Sequence, residues 1–265
     1  MFTVTIVSEP DSPVLIGTTV TFTKTFTNAV YPVDDQWYYR CGEGAWAPFA
    51  VLSTPFPWCA VPEGSHEFKL VCTDATGATA EDIETIEVQG PDELVFQSGG
   101  PSNPSTGPGT IMSITDKFFA RRGGVDVGPC WQCNDTTVYE YISFATLNIE
   151  PDPTPSDDTY EPDPPELPTD WVSVGGIEGC SASDNPAFFW SNPFILDKRS
   201  FVDPGTIDWP NLPVGHVIAR AKQWVAIRVP ICGDPEKSER FVIEGPMIFE
   251  LRVGAGKTVD FVKIN

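Results

Sequence analysis

The chain has 265 residues, 41% of them hydrophobic, so it is long enough for one large or two medium domains with buried cores. Its 27 prolines and 22 glycines favour many short strands and turns over long helices. A formal net charge of −21 opposes binding to nucleic acid phosphates, and no apolar run approaches the roughly 20 residues that span a bilayer. We therefore expect neither nucleic acid nor membrane as a partner.

The negative charge is distributed unevenly along the chain. Residues 1–90 hold twelve acids and three bases, a net −9, and residues 150–170 hold eight acids and no base. The other 154 residues carry only −4. Two acidic segments beside a near-neutral remainder suggest that the segments have different functions. The alternative is that the acidity only keeps the protein soluble.

The first 90 residues read as short alternating strands separated by turns. Residues 2–8 and 19–25 alternate, and a later strand carries Trp37, which we expect to fill a sandwich core. The strand from His66 to Cys72 places His66, Phe68, Leu70 and Cys72 on one face. Residues 83–88 supply the last strand. Six or seven strands in about 90 residues predict a β-sandwich that ends at Gly90-Pro91.

The pattern changes after Asp92. Residues 99–109 predict an exposed loop, residues 111–124 a strand or a short helix, and residues 136–150 a long strand. Residues 150–170 contain seven prolines and eight acids, which predict an extended arm.

Four further strands are predicted in the last hundred residues. They fall in residues 171–177, 216–231, 240–253 and 258–264. The second of these has helical propensity, but the alternation of Val225, Ile227 and Val229 favours a strand. The chain is thus predicted to be all-β. Residues 1–90 form an immunoglobulin-like sandwich, residues 91–149 and 171–265 a second β-rich domain, and residues 150–170 an extended acidic Pro-rich arm.

The segment from Asp35 to Gln89 resembles the bacterial immunoglobulin-like repeats found on adhesins, surface enzymes and phage virion proteins. The resemblance covers about a third of the chain and rests on nine positions: Cys41, Gly44, Trp46, Gly64, His66, Phe68, Thr73, Asp74 and Gly77. It implies a β-sandwich displayed outside a cell or on a virion, and a structural role for His66. It implies no chemistry, because a fold does not fix a function.

Seven cysteines suggest reduced thiols, because an odd number leaves at least one unpaired and disulfides are rare in a cytoplasm. Cys130 and Cys133 form a CxxC, which is open to three readings: reduced structural cysteines, a disulfide, or half of a metal site completed by Cys180 and Cys232.

The first 90 residues contain three cysteines, and the resemblance to the repeats bears on how they pair. Those repeats often carry a second cysteine after a Trp-x-Pro segment, where this chain has Phe49. Cys41 paired with Cys59 is a conceivable substitute, and Cys72 is expected to be a small core residue.

The sequence offers no catalytic set. It has two histidines, of which His66 is expected to be structural and His216 to lie at the surface after a Pro-Val-Gly turn. The arm acids Asp157, Asp158, Glu161 and Asp163 lack the spacing of a calcium loop, and residues 254–257 (GAGK) lack the glycine spacing of a phosphate-binding loop. We predict no catalytic residue, no cofactor, no metal site and no enzymatic activity.

Two functions fit these observations. Met1 and Phe2 lead straight into a strand with no signal peptide, which favours a virion protein made in the host cytoplasm. It would be a capsid decoration or head-fibre protein that docks on the major capsid protein, displays its sandwich on the capsid exterior, and contacts neighbouring copies through residues 150–170. The alternative is a carbohydrate- or cell-surface-binding module in which exposed aromatics stack on host-surface glycans: Trp131, Trp171, Trp190 and Trp209.

Overall fold

The computed structural model describes residues 1–51, 53–97, 114–133, 137–146, 172–176, 188–192, 213–233, 237–255 and 259–264. In this part the chain is all-β, with strands in four sheets and one short 3-10 helix at Pro129–Cys133. None of the helices found in the described residues has the length and apolarity to cross a bilayer.

The N-terminal strands form two sheets that pack face to face. One has the order β1-β3-β6 and the other the order β2-β8-β7-β4-β5, in which only β2 and β8 are parallel. Together they are an immunoglobulin-like β-sandwich, as the sequence predicts. The strands are β1 (Thr3–Glu9), β2 (Val14–Leu15), β3 (Thr19–Thr27), β4 (Val33–Cys41), β5 (Ala47–Phe49), β6 (Phe56–Cys59), β7 (Gly64–Asp74) and β8 (Thr79–Gln89).

Strict alternation of buried and exposed positions builds the sandwich core. Along β7, His66, Phe68, Leu70 and Cys72 are all fully buried, which confirms the predicted inward face. Phe22 on β3 packs against the Phe68 ring with centroids 4.3 Å apart. Trp37 is 2% exposed and fills the core as expected. Burial of these aromatic rings supplies much of the hydrophobic free energy that stabilises the sandwich.

The C-terminal strands form two further antiparallel sheets. One has the order β13-β12-β15-β16-β17, and in the other β10 pairs with β9, β11 and β14. The strands are β9 (Glu93–Gln97), β10 (Ile114–Arg122), β11 (Val125–Asp126), β12 (Thr137–Thr146), β13 (Val172–Gly176), β14 (Phe188–Asn192), β15 (Val217–Pro230), β16 (Glu239–Val253) and β17 (Val259–Lys263). Within the segment at 111–124 the strand runs over Ile114–Arg122 and a turn follows at residues 123–124, and β15 confirms the strand predicted at 216–231. The loop at 99–109 and the arm at 150–170 lie outside the described residues.

The sandwich meets the C-terminal strands along a contact that we call the junction, formed by Gly17, residues 41–42 and residues 59–66 against residues 128–131 and 230–233. The Glu63 N–H donates to the Pro230 carbonyl (2.9 Å) and the Cys232 N–H donates to the Glu63 carbonyl (2.7 Å). Trp131 is completely buried here, in the same hydrophobic cluster as the sandwich core. The core thus continues from the sandwich into the C-terminal part.

Two disulfides cross the junction, so the expectation of reduced thiols is wrong for these four cysteines. Cys41 at the end of β4 pairs with Cys232, and Cys59 at the end of β6 pairs with Cys130 in the 3-10 helix. The suggested Cys41–Cys59 link is also wrong, because each of these cysteines is bonded to a residue of the C-terminal part instead. Cys72 is a free cysteine and is buried in the core, as predicted.

Candidate binding surface

The outward face of the five-stranded sheet carries a cluster of aromatic and cationic side chains. Alternation along β4 turns Tyr38 and Arg40 away from the core, and the register pairs Tyr38 with Lys69 and Arg40 with Glu67 on β7. Trp46 lies just before β5, in the connection that brings the chain back along the edge of β4. We call Tyr38, Arg40, Trp46 and Lys69 the Trp46 surface.

Two cations contact the indole ring of Trp46. The Arg40 guanidinium carbon lies 4.5 Å from the ring centroid, and the Lys69 ammonium nitrogen lies 4.6 Å from it. The same ammonium nitrogen is 5.2 Å from the centroid of Tyr38. These are cation–π distances, and each contact fixes the orientation of a long side chain. Trp46 and Tyr38 remain partly exposed.

The charge pattern of this surface differs from the rest of the sandwich. Arg40 forms an ion pair with Glu67, and Lys24, the third base of residues 1–90, pairs with Asp35 at 2.5 Å. Lys69 has no carboxylate within ion-pair distance among the residues that the structure describes. Its positive charge is therefore available to an anionic group, on a domain whose net charge is −9.

A second cluster lies inside the junction. His66 faces Cys41 across β7 and β4, and Cys232 is bonded to Cys41. The Tyr39 hydroxyl lies 2.9 Å from His66 Nδ1, and His66 Nε2 lies 2.8 Å from the Pro62 carbonyl oxygen. Burial lowers the pKa of His66, opposed by the contact with Pro62 and the charge of Glu87. His66 is thus a buried residue with both ring nitrogens hydrogen-bonded, as the structural role predicts.

Asp74 organises the turn between β7 and β8. One carboxylate oxygen accepts hydrogen bonds from the N–H and hydroxyl of Thr76 (2.8 and 2.5 Å) and from the Ala78 N–H (3.1 Å). The other accepts from the Val30 N–H at 3.3 Å. The Thr76 hydroxyl is the largest cause that lowers the pKa of Asp74, although burial partly opposes it. The Thr-Asp-x-x-Gly turn of the resembled repeats is therefore a hydrogen-bonded cap rather than a ligand site.

The tryptophans expected to stack on sugars do not form that surface. Trp131 is fully buried in the junction, so its proposed role in stacking is wrong. Trp190 lies on β14, where only the backbone is described, and Trp171 and Trp209 lie outside the described residues. In the sequence, Trp46 stands out only as one of the residues shared with the resembled repeats. Alternation along β4 and β7 could have predicted that Tyr38, Arg40 and Lys69 lie together on the outward face of the sheet.

Other predicted residues fall as follows. His216 follows the expected turn, with its N–H 3.1 Å from the Pro213 carbonyl, but its ring is partly buried rather than a surface group. The CxxC is divided, because Cys130 bonds to Cys59. The four arm acids named as calcium candidates lie outside the described residues.

No protein-family model and no curated protein matches this chain. Solved structures that align with it include fibronectin(III)-like modules of CbhA from Clostridium thermocellum (10% identity, 98% of this chain and 93% of that one, TM-score 0.26). A carbohydrate-binding module of the β-sandwich superfamily aligns at 11% identity over 98% of both chains, with a TM-score of 0.27. A bacterial ice-binding adhesin aligns at 8% identity over 98% of this chain and 86% of that one, with a TM-score of 0.24. Likeness at these TM-scores and identities assigns no function to this chain.

Proposed function

We propose that this chain is a non-enzymatic display protein whose immunoglobulin-like sandwich binds acidic glycans through the Trp46 surface. The observation that carries the proposal is the Lys69 ammonium group, held against Tyr38 and Trp46 with no carboxylate partner among the described residues. A sugar ring can pack an apolar face against an aromatic side chain, and its carboxylate or sulfate can pair with a cation of the same cluster, here Lys69.

The surface is already ordered before a ligand arrives. Arg40 is held by Glu67 and lies against Trp46, so the indole has little freedom to lose on binding. A preordered aromatic side chain reduces the entropic cost of association. The acidic surroundings repel anions over long distances, so binding depends on close contact with Lys69 and on several copies acting together.

A glycan array with neutral, carboxylated and sulfated glycans tests the proposal. We expect the wild-type protein, presented multivalently, to bind acidic glycans in preference to neutral ones. Trp46→Ala should remove binding to all of them, and Lys69→Gln should remove the preference for acidic ones. Tyr31→Ala is the control, because Tyr31 is an aromatic residue 71% exposed that is not part of the Trp46 surface. Absence of glycan binding, or binding that both variants retain, would refute the proposal.

The second candidate function is virion decoration. The supporting observation is the firm attachment of the sandwich, with one disulfide from each of its sheets to the C-terminal part, which suits a domain held out from a docking base. In this proposal the C-terminal strands contact the major capsid protein, and residues 150–170 contact neighbouring copies on the capsid exterior. Co-sedimentation with capsid shells should then saturate at an integral ratio, and protein that stays in the supernatant would exclude this function.

A further inference from the structure

Three side chains with metal-binding atoms meet inside the junction: Cys41, His66 and Cys232. One ring nitrogen of His66 and the two sulfur atoms all lie within 4.8 Å of one another. Zinc binds thiolate sulfur at about 2.3 Å and imidazole nitrogen at about 2.0–2.1 Å. Ligand atoms at the present spacing therefore need only small shifts to surround one ion once the sulfur–sulfur bond is broken.

The backbone holds these residues in place independently of the disulfide. Cys41 and His66 are a cross-strand pair of β4 and β7. Cys232 is fixed by its N–H bond to the Glu63 carbonyl (2.7 Å), and Glu63 in turn donates to the Pro230 carbonyl (2.9 Å). Arg240 adds an ion pair to Glu63 at 2.7 Å. Reduction of the Cys41–Cys232 bond thus leaves the two sulfur atoms as neighbours.

The hydrogen bonds of His66 identify the atom that would bind a metal. A carbonyl oxygen only accepts, so the contact between His66 Nε2 and the Pro62 carbonyl (2.8 Å) requires the proton on Nε2. Nδ1 then carries the lone pair, and the Tyr39 hydroxyl donates to it at 2.9 Å. An imidazole that donates its other N–H to a backbone carbonyl is the usual arrangement of a metal-binding histidine.

We propose that Cys41, Cys232 and His66 bind one zinc ion when the Cys41–Cys232 disulfide is reduced. A dithiol reductant transfers two electrons and two protons to the disulfide and itself becomes a disulfide. Zinc then binds both sulfur atoms, and each thiol releases its proton to solvent. His66 is neutral, and its Nδ1 lone pair binds the ion once the Tyr39 hydroxyl that donates to it at 2.9 Å turns away. Three protein ligands leave the fourth coordination position to water or to an external ligand.

The site gives the junction two bonded states. In an oxidising environment a covalent bond joins β4 to the end of β15, and in a reducing one a zinc ion joins the same residues. A protein folded in a cytoplasm would therefore keep the junction closed before its disulfides form. This inference does not depend on the Trp46 surface, which lies on the opposite face of the sheet from His66.

Metal titration under anaerobic conditions tests the proposal. The full-length protein is reduced with a phosphine and titrated with Co²⁺, whose thiolate complexes are coloured, and the cobalt is then displaced by Zn²⁺. The double variant C59S/C130S keeps the proposed site and breaks the CxxC, and we expect it to bind one ion per chain. The variant C41S/C232S keeps the CxxC, and we expect it to bind none. His66→Gln should weaken binding by more than about 10-fold, the smallest loss usual for an outer-shell partner.

A measurement on the wild-type protein avoids variants that fail to fold. Zn²⁺ should protect Cys41 and Cys232 of the reduced protein from alkylation, mapped by mass spectrometry, while Cys59 and Cys130 react. Binding that survives in C41S/C232S, no binding in C59S/C130S, or protection of Cys130 in place of Cys41 would each overturn the proposal.

Discussion

Gly42 and Gly233 touch each other at the junction, each one residue beyond a cysteine of the Cys41–Cys232 disulfide. A Cβ added to Gly42 would lie 2.4 Å from the Gly233 Cα, and a Cβ added to Gly233 would lie 3.1 Å from the Gly42 Cα. Both residues also have a positive φ, at 58° and 87°. The two backbones approach so closely that Gly42 has no room for a side chain, and a Cβ at Gly233 would require a small shift of Gly42.

Gly42→Ala should therefore destabilise the protein more than a positive φ alone explains. A left-handed conformation costs an alanine about 1–2 kcal/mol, and the clash with Gly233 should add about 1–3 kcal/mol, as overpacking does. Gly77→Ala is the matched control, because Gly77 has a φ of 83° and no atom within 4 Å of an added Cβ. Urea unfolding measures both. Equal losses for the two variants would mean that the junction does not form this contact.

Peptide mapping without reduction should recover Cys41 linked to Cys232 and Cys59 linked to Cys130. The bonds join residues 191 and 71 positions apart, and a lost native disulfide typically costs about 2–5 kcal/mol. We expect C41S/C232S and C59S/C130S each to lower the free energy of unfolding by an amount in that range. A recovered Cys130–Cys133 peptide would contradict the structure.

The Cys72 thiol should be inert in the folded protein. Burial in the sandwich core, with the nearby charge of Asp35, raises its pKa to about 11, although Lys24 partly opposes the shift. Since the thiolate is the reactive form, iodoacetamide at a mildly alkaline pH should leave Cys72 unmodified until denaturant is added. Rapid labelling of Cys72 in the native protein would show that the core opens there.

Acid should weaken the β7–β8 turn through Asp74. Its native pKa lies below its unfolded value, so the carboxylate stabilises the fold fully above the unfolded pKa, near pH 4. That stability is lost as the pH falls through the lowered native pKa. We expect the difference in Tm between wild type and Asp74→Asn to be largest at neutral pH and to shrink below about pH 4.

The variant Thr76→Val separates the contributions of the Thr76 hydroxyl and of the backbone N–H groups to the lowered pKa of Asp74. It removes the hydroxyl that contributes most to the lowered pKa and keeps the backbone N–H bond to Asp74. The Tm difference between wild type and Thr76→Val should shrink in acid as the difference for Asp74→Asn does, but it should be smaller at neutral pH. An Asp74→Asn protein whose Tm follows the wild type at every pH would mean that the charge of Asp74 contributes nothing.

Strands could be predicted from the sequence where apolar residues recur with a period of two. His66, Phe68, Leu70 and Cys72 alternate along β7 and form its inward face. Val225, Ile227 and Val229 alternate along β15 and are buried, although Trp224 and Ala226 on its other face are buried as well. The all-β class and the sandwich within residues 1–90 follow from that pattern.

The disulfides and the binding surface could not be predicted from the sequence in this way. Cys41 and Cys232 are neighbours only because the C-terminal strands pack against the end of β4, and no local pattern encodes a contact across 191 positions. Lys69 is visibly an outward residue of β7, but its contact with Trp46 depends on the path of the chain after Gly42. Trp131 reads as an exposed aromatic in a loop and is instead the buried centre of the junction.

The two disulfides also determine how the protein carries mechanical load. Each sheet of the sandwich has its own covalent bond to the C-terminal part, one at the end of β4 and one at the end of β6. A pull on the sandwich therefore reaches β15 through the Cys41–Cys232 bond and does not stretch the chain between them. Because the second bond attaches the opposite sheet, neither sheet can be pulled away from the C-terminal part without breaking a covalent bond.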